Sequence, residues 1–430
     1  MIQFNLLLIA FLIVFGVRSL FQVILNRLNI RHLHRYGGKV PTVFQGLVDQ
    51  DRLTRISSYT ADSARFGLIN SLFNQSLILA LLLSGFLPQV VEWLSLWVSK
   101  PIGRGLIFFA LLSAMFTLIQ IPFNLYDTFV IEERHGFNAS TLKTWILDLV
   151  KGMFISALIG GTVLALLLIL IHKLPQTWWI WAWIVLAIFE GLILWLYPVV
   201  IAPWFNKFEP LRAKGLEGRI RQIMEKAGLA VKGVFQMDAG KRTRHTNAYF
   251  TGLGKTKRIV LFDTLLNSHT EDEILAILSH EVGHWKKRHV IKQLAVVEIV
   301  SLAGLWVMGK LLEWPILYRT FGFGTPIPFV GLFLLGILMS VGGYFFRPLE
   351  SVISRRFERQ ADRAVLELTG TTSALGQALK RLALHNLANL TPHPLYAWFY
   401  YSHPPIVERI EGLTQTGEYR TRDKTEPAAL

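Results

Sequence analysis

Seven apolar runs of membrane-spanning length constrain the fold of this chain more than any other feature of its sequence. A transmembrane helix needs about 20 mainly apolar residues. Tryptophan and tyrosine crowd the ends of several runs, where their amphipathic rings favour the membrane interface. Hydrophobic residues make up 52% of the chain and charged residues only 17%, which argues against a soluble protein. The predicted spans lie near residues 4–26, 66–87, 105–126, 152–172, 178–203, 290–312 and 327–346.

A surplus of basic residues accompanies these runs, with 44 Lys and Arg against 29 Asp and Glu and a net charge of +15. The basic residues lie beside apolar runs and no nucleic-acid motif interrupts them, so we expect contact with the lipid bilayer and no nucleic-acid partner. Because Lys and Arg concentrate in cytoplasmic loops, the first loop, the 128–151 loop, the 204–289 segment and the C-terminal tail are predicted to face the cytoplasm. An odd number of spans leaves the N-terminus outside.

The strongest chemical signal is the pentapeptide from His280 to His284, which reads HEVGH. On a helix, positions i and i+4 share one face, so His280 and His284 can bind one zinc ion. Glu281 then lies where it can act as general base. Thr270 and Glu273 form a capping box that predicts where this helix starts. The chain has no cysteine, so any metal site must use histidine and carboxylate ligands.

A second segment, residues 354–362, places Glu358 and Asp362 on one helical face. A catalytic zinc site needs a third protein ligand, and Glu358 is the natural one. Asp362 could accept a hydrogen bond from a ligating imidazole. The alternative is a solvated face in which both acids pair with nearby arginines. The histidine pair favours the ligand interpretation.

The chain resembles the type I CAAX prenyl endopeptidases, which are integral-membrane zinc proteases. The resemblance covers most of the chain and rests on residues 126–138 (YDTFVIEERHGFN), 197–211 (YPVVIAPWFNKFEPL), 247–252 (NAYFTG) and 402–405 (SHPP), the last followed by Glu408 and Arg409. It departs from the family pattern at Ser351, where Asn is common, and in the basic stretch 242–246. Within that stretch we interpret His245 as a strand or loop residue.

The resemblance implies roles for individual residues. Glu358 matches the family's third zinc ligand, and Asp362 matches an acid that hydrogen-bonds a ligating imidazole. Asn247 matches a residue that contacts the substrate main chain. His403 matches a histidine near the reacting carbonyl, with Arg409 close to it, and a donor there could stabilise an oxyanion.

Four segments follow from these patterns. Transmembrane helices one to five with their loops occupy residues 1–203, and a cytoplasmic catalytic segment with short β-like runs and the zinc helix occupies 204–289. Helices six and seven occupy 290–346, and catalytic helices with a polar tail occupy 347–430. The fold class is therefore mostly α, with a zincin-like catalytic region containing a small β element. Glu298 lies within the sixth span, where ionisable groups usually face a protein interior or a wet cavity, and an internal water-filled chamber would accommodate it.

The sequence thus predicts a membrane-embedded zinc metalloendopeptidase with one Zn²⁺ per chain. Its substrate is expected to be a peptide or protein. The resemblance implies cleavage of C-terminal peptides like that of the CAAX prenyl proteases, with the need for prenylation left open. The enzyme would lie in a bacterial inner membrane or the endoplasmic reticulum membrane, with its active site facing the cytoplasm. One alternative is a membrane-protein quality-control protease with the same site. A transporter or scaffold with a structural metal is a further alternative.

Overall fold

The computed structural model describes residues 2–252 and 257–414. Within these residues, seven helical stretches are long and apolar enough to cross a membrane, as the sequence predicted. The polar tail predicted after Gly417 lies outside the described residues.

The membrane half is built mainly from long helices. Its helices are α1 (Leu6–Tyr36), α2 (Gln50–Leu83), α3 (Phe86–Trp97), α4 (Pro101–Tyr126), α5 (Leu142–Lys173), α6 (Trp178–Leu196) and α7 (Ala202–Phe205). Three of them, α1, α2 and α5, extend well beyond the predicted apolar runs. Helix α2 begins at Gln50 rather than near 66, because Asp49 caps its start by accepting a hydrogen bond from the Arg52 backbone. The short helix α3 was not predicted. It contributes Leu87 and Leu94 to the apolar core between the spans.

The remaining elements follow in the second half of the chain. They are β1 (Phe208–Pro210), α8 (Lys214–Lys226), β2 (Gly233–Met237), β3 (Ala248–Thr251), β4 (Arg258–Phe262), α9 (Asp263–Ser268), α10 (Glu271–Lys286), α11 (His289–Leu311), α12 (Pro315–Thr320), α13 (Pro328–Gly343), α14 (Arg347–Thr369), α15 (Ser373–His385) and α16 (Pro394–Tyr400). Residues 406–414 are also helical.

The four strands form one small sheet in the order β1-β2-β4-β3. Strand β2 pairs with β4 in parallel, and β1 and β3 are antiparallel to their neighbours. The three predicted β-like runs become β2, β3 and β4, whereas β1 was not predicted. Strand β3 lies at the end of the sheet, so one of its edges has no partner among the described strands.

Helix α10 packs between this sheet and helix α14. Its start carries the predicted capping box, in which Thr270 accepts from the Glu273 backbone and Glu273 accepts from the Thr270 backbone. Gly283 faces α14 so closely that an added Cβ would lie 2.9 Å from the Ala364 Cβ and 3.0 Å from the Ala361 backbone. This contact brings the two helices that carry the predicted ligands side by side.

Candidate active site

Helix α10 presents His280 and His284 on one face. Their Nε2 atoms lie 3.1 Å apart. His280 is buried and His284 is partly exposed. The capping box and the apolar residues Ile274, Leu278 and Val282 hold this helix in place, because the three side chains pack into the core under the sheet.

Helix α14 brings Glu358 to the same point. Its Oε2 lies 3.3 Å from His280 Nε2 and its Oε1 lies 3.2 Å from His284 Nε2. One ligand atom from each of the three residues lies within 4.8 Å of the others. The Glu358 Oε2 atom is buried and has no hydrogen-bond partner among the described residues. Two imidazole nitrogens and an unsatisfied carboxylate oxygen at this spacing fit a divalent cation.

Asp362 and Arg409 surround His280 on its other side. Asp362 Oδ1 lies 2.8 Å from His280 Nδ1, so an N–H on Nδ1 would leave Nε2 with its lone pair directed at the cluster. Arg409 donates to both Asp362 oxygens, at 2.6 and 2.8 Å, and its Nη1 lies 3.4 Å from Glu358 Oε2. The two acids therefore share a buried arginine from the 406–414 helix.

The alternative in which nearby arginines neutralise Glu358 and Asp362 on a solvated face is wrong. Both acids are buried, with 4% and 7% of their surface exposed. Arg355 instead donates to the backbone carbonyl of Tyr401 at 2.6 Å, and Arg359 lies 3.9 Å from Glu408.

His403 approaches the cluster from the loop before the 406–414 helix. Its Nε2 lies 3.3 Å from Glu358 Oε1, and its side chain is 60% exposed. Asn247 lies immediately before edge strand β3, where its Oδ1 accepts a hydrogen bond of 2.8 Å from the Ala248 backbone. His403 thus joins the cluster directly, while Asn247 immediately precedes the strand that packs beside α10.

Glu281 lies between the two histidines on α10. Burial raises the pKa of its carboxyl above the ordinary value, because the charged form is disfavoured away from water. A carboxylate with a raised pKa is a better proton acceptor. This raised pKa suits the general-base role that the sequence predicted for Glu281.

Comparison with known proteins finds related peptidases that match nearly the whole chain. Residues 29–207 match the family model described as CAAX prenyl protease N-terminal, five membrane helices, and residues 210–417 match peptidase family M48. The CAAX prenyl protease 1 homolog of Arabidopsis thaliana is 33% identical, over 87% of this chain and 90% of that protein. CAAX prenyl protease 1 of Saccharomyces cerevisiae is 32% identical, over 88% and 89%.

This chain belongs to the M48 peptidase family. Within the family it groups with the CAAX prenyl protease 1 homologues. The crystal structure of S. mikatae Ste24p has a TM-score of 0.88 and 31% identity to the chain, and the match covers 94% of this chain and 98% of that one. The chain is therefore a multi-pass membrane metallopeptidase that acts on peptides or proteins.

Two further histidines of this M48 peptidase make contacts that the sequence analysis missed. His245 stacks on Phe137, with ring centroids 3.9 Å apart, and its Nε2 lies 3.1 Å from Glu132. These contacts tie the segment before β3 to the helical extension of α4 at Glu132 and to the loop that follows it at Phe137. His289 lies against His284, with their Nδ1 atoms 3.1 Å apart. A third histidine five residues beyond the HEVGH motif was the available signal, but helical periodicity alone does not place it near the other two.

Proposed function

We propose that this M48 peptidase binds zinc through His280, His284 and Glu358 and removes C-terminal peptides from prenylated substrates. The observation that carries the proposal is the convergence of these three side chains at helix α10, which lies directly before a membrane span and packs beside β3, whose outer edge pairs with no described strand. Two imidazole nitrogens and one carboxylate form a donor set used by catalytic zinc sites. A bound zinc ion supplies Lewis-acid polarisation of the scissile carbonyl and lowers the pKa of bound water.

The protein's own groups complete the reaction. Glu281 takes a proton from the attacking water and passes it to the leaving amine. His403, which is exposed and lies 3.3 Å from Glu358, can donate a hydrogen bond to the developing oxyanion. The contacts of Arg409 support a role in holding Asp362 and Glu358 in place.

The substrate binds as an extended strand along β3. This edge of the sheet has unpaired backbone groups among the described residues, and main-chain pairing with a peptide would satisfy them. Asn247 at the start of β3 is placed to contact the substrate main chain. The names of the relatives, CAAX prenyl protease 1 and its homologues, support a prenylated C-terminal peptide as the substrate class.

The active site faces the cytoplasm at the bilayer surface. Helix α10 ends at Lys286 and the span α11 begins at His289, so the metal site lies close to one end of a membrane helix. The membrane is a bacterial inner membrane or that of the endoplasmic reticulum. Residues 204–289 and 347–430 form the catalytic segments, and 1–203 and 290–346 the membrane segments. Contact between α10 and α14 supports this grouping.

The decisive experiment compares the cleavage of two fluorescence-quenched peptides. Both carry a cysteine near the C-terminus, and they differ only in whether that cysteine is farnesylated. The detergent-solubilised enzyme should cut the farnesylated peptide about tenfold faster or more, because burial of the isoprenoid adds apolar contact. Mass spectrometry should locate the cleaved bond after the modified cysteine. Chelation should abolish cleavage and added zinc should restore it.

Glu281→Gln protein with the same metal content is the matched control. Equal cleavage of both peptides by the wild-type enzyme would favour the quality-control protease instead. Absence of cleavage by fully zinc-loaded enzyme would contradict the assignment of this site to peptide hydrolysis.

A further inference from the structure

His289 is a buried imidazole that contacts three side chains, one of them the proposed metal ligand His284. Only 1% of its surface is exposed. Its Nδ1 lies 3.1 Å from His284 Nδ1, and its Nε2 lies 2.9 Å from Gln360 Oε1. Its ring stacks on Phe357 with centroids 4.2 Å apart and an angle of 8° between the planes. These contacts fix both the position and the orientation of the ring.

A break in the backbone makes this contact possible. On an uninterrupted helix, a residue five positions beyond His284 would be rotated by about 140° around the axis. Helix α10 instead ends at Lys286, and Arg288 adopts the left-handed conformation, with φ 55° and ψ 38°. A non-glycine residue in this region is strained, by about 1–3 kcal/mol. The break turns the chain so that His289 folds back against His284.

The hydrogen bonds define one chain of donors and acceptors. Gln360 Oε1 can only accept, so His289 carries its hydrogen on Nε2 and a lone pair on Nδ1. His289 Nδ1 then accepts a hydrogen bond from Nδ1–H of His284. This leaves the lone pair of His284 on Nε2, which faces the other two proposed ligands. The opposite arrangement would put a hydrogen on His284 Nε2 and exclude metal binding there.

We propose that His289 is a positioning residue that fixes the tautomer and ring orientation of His284, and that Gln360 fixes the tautomer of His289. The arrangement parallels that of Asp362 at His280, where a carboxylate holds the other imidazole. The His289–Gln360 pair orients His284 without adding a further carboxylate to a site that already holds Glu358 and Asp362. This proposal rests on the metal site of the proposed function.

The test measures zinc affinity in the full-length protein by competition with a chromophoric chelator. His289→Phe keeps the ring stacked on Phe357 but removes the acceptor, and should weaken zinc binding roughly 10–100-fold. His289→Asn places an oxygen near the position of Nδ1 and should recover most of the affinity. Gln360→Met should also weaken binding, whereas Gln360→Glu, which keeps an acceptor, should not. The visible spectrum of the Co²⁺-loaded protein should change in the Phe variant and return toward wild type in the Asn variant.

His269→Phe is the matched control, because His269 is also buried but contacts Ser268 and His385 rather than the cluster. It should leave zinc affinity unchanged. Wild-type affinity in His289→Phe would overturn the proposal, and so would an equal loss in the Phe and Asn variants, since packing would then be what His289 supplies. If His289→Phe does not fold, the two Gln360 variants decide. A wild-type protein without zinc would instead count against the metal site itself.

Discussion

Glu281 is the residue whose substitution separates proton transfer from metal binding. It lies between His280 and His284 on α10, and burial raises its pKa. The three proposed ligands come from two helices. Asp362 contacts one of them, His280, and the buried Arg409 in turn donates to Asp362. Single substitutions can therefore remove a base, a ligand or a ligand's support, and each loss has a different signature.

Glu281→Gln should retain zinc and fold but lose nearly all hydrolysis, because the amide cannot take a proton. Removing a general base typically lowers the rate by about 10²–10⁴-fold. Metal content and turnover should be measured on the same preparation. Activity at a tenth of wild type or above would contradict the role of Glu281.

Glu358→Ala should lower both bound zinc and activity, because it removes one of the three atoms that converge on the site. Asp362→Ala should weaken zinc affinity by roughly 10–100-fold and leave the three ligands present. Metal analysis together with chelator competition distinguishes the two. Stoichiometric zinc and full activity in Glu358→Ala would show that the third ligand lies elsewhere.

Helices α10 and α14 form the element pair on which the site depends. One contributes the histidines and the other contributes both acids, and Gly283 sets how near they come. Helix α15 supports the same pair from the far end, because Arg381 donates to Glu273 of the capping box at 3.1 Å. The geometry of the ligands therefore follows from how closely two helices pack.

Gly283→Ala should destabilise the protein by about 1–3 kcal/mol and weaken zinc binding, because its Cβ would collide with the Ala361 backbone. Gly218→Ala in α8 is the control, since an added Cβ there meets nothing within 4 Å. The control should be neutral or stabilising by about 0.4–1 kcal/mol. Thermal melting and zinc competition would be measured on both. Identical behaviour of the two variants would mean that the close approach does not constrain the site.

The whole molecule joins seven candidate spans, counted among the described residues, to a catalytic region built from two distant parts of the chain. The start of α1 contacts the connection between α11 and α13, because the Gln3 backbone donates to Thr320 at 3.2 Å. The N-terminal end and this connection therefore lie at the same end of the helix bundle. Five of the candidate spans lie between the N-terminal end and the segment that carries α10, and an odd number of crossings puts that segment on the opposite side.

Accessibility of single cysteines tests this topology, and the native chain contains none. Cysteines at Gln3 and Ser99 should react with a membrane-impermeant thiol reagent on intact cells. Cysteines at Arg212 and Ser373 should react only after lysis, because the basic loops predict that these segments are cytoplasmic. All four native side chains are exposed. Labelling of Arg212→Cys in intact cells would show that the orientation is the reverse of the predicted one. The catalytic region would then lie outside the cytoplasm, which rules out a cytoplasmic peptide substrate.

Local patterns in the sequence determined much of this protein. Apolar runs predict spans because a helix that crosses the lipid bilayer needs about 20 apolar residues. The i, i+4 spacing puts His280 and His284 on one face of any helix that contains them. The capping box marked the start of α10 for the same reason, since it satisfies backbone groups within one turn. Each of these features depends only on neighbouring residues.

Only the tertiary structure decided which distant groups meet. Glu358 reaches the histidines because Gly283 lets two helices approach, and Arg409 binds Asp362 from a separate helix. His289 contacts His284 only because Arg288 breaks the helix in a left-handed conformation. No periodicity in the sequence encodes these contacts, since they depend on backbone breaks and on packing between segments far apart in the chain.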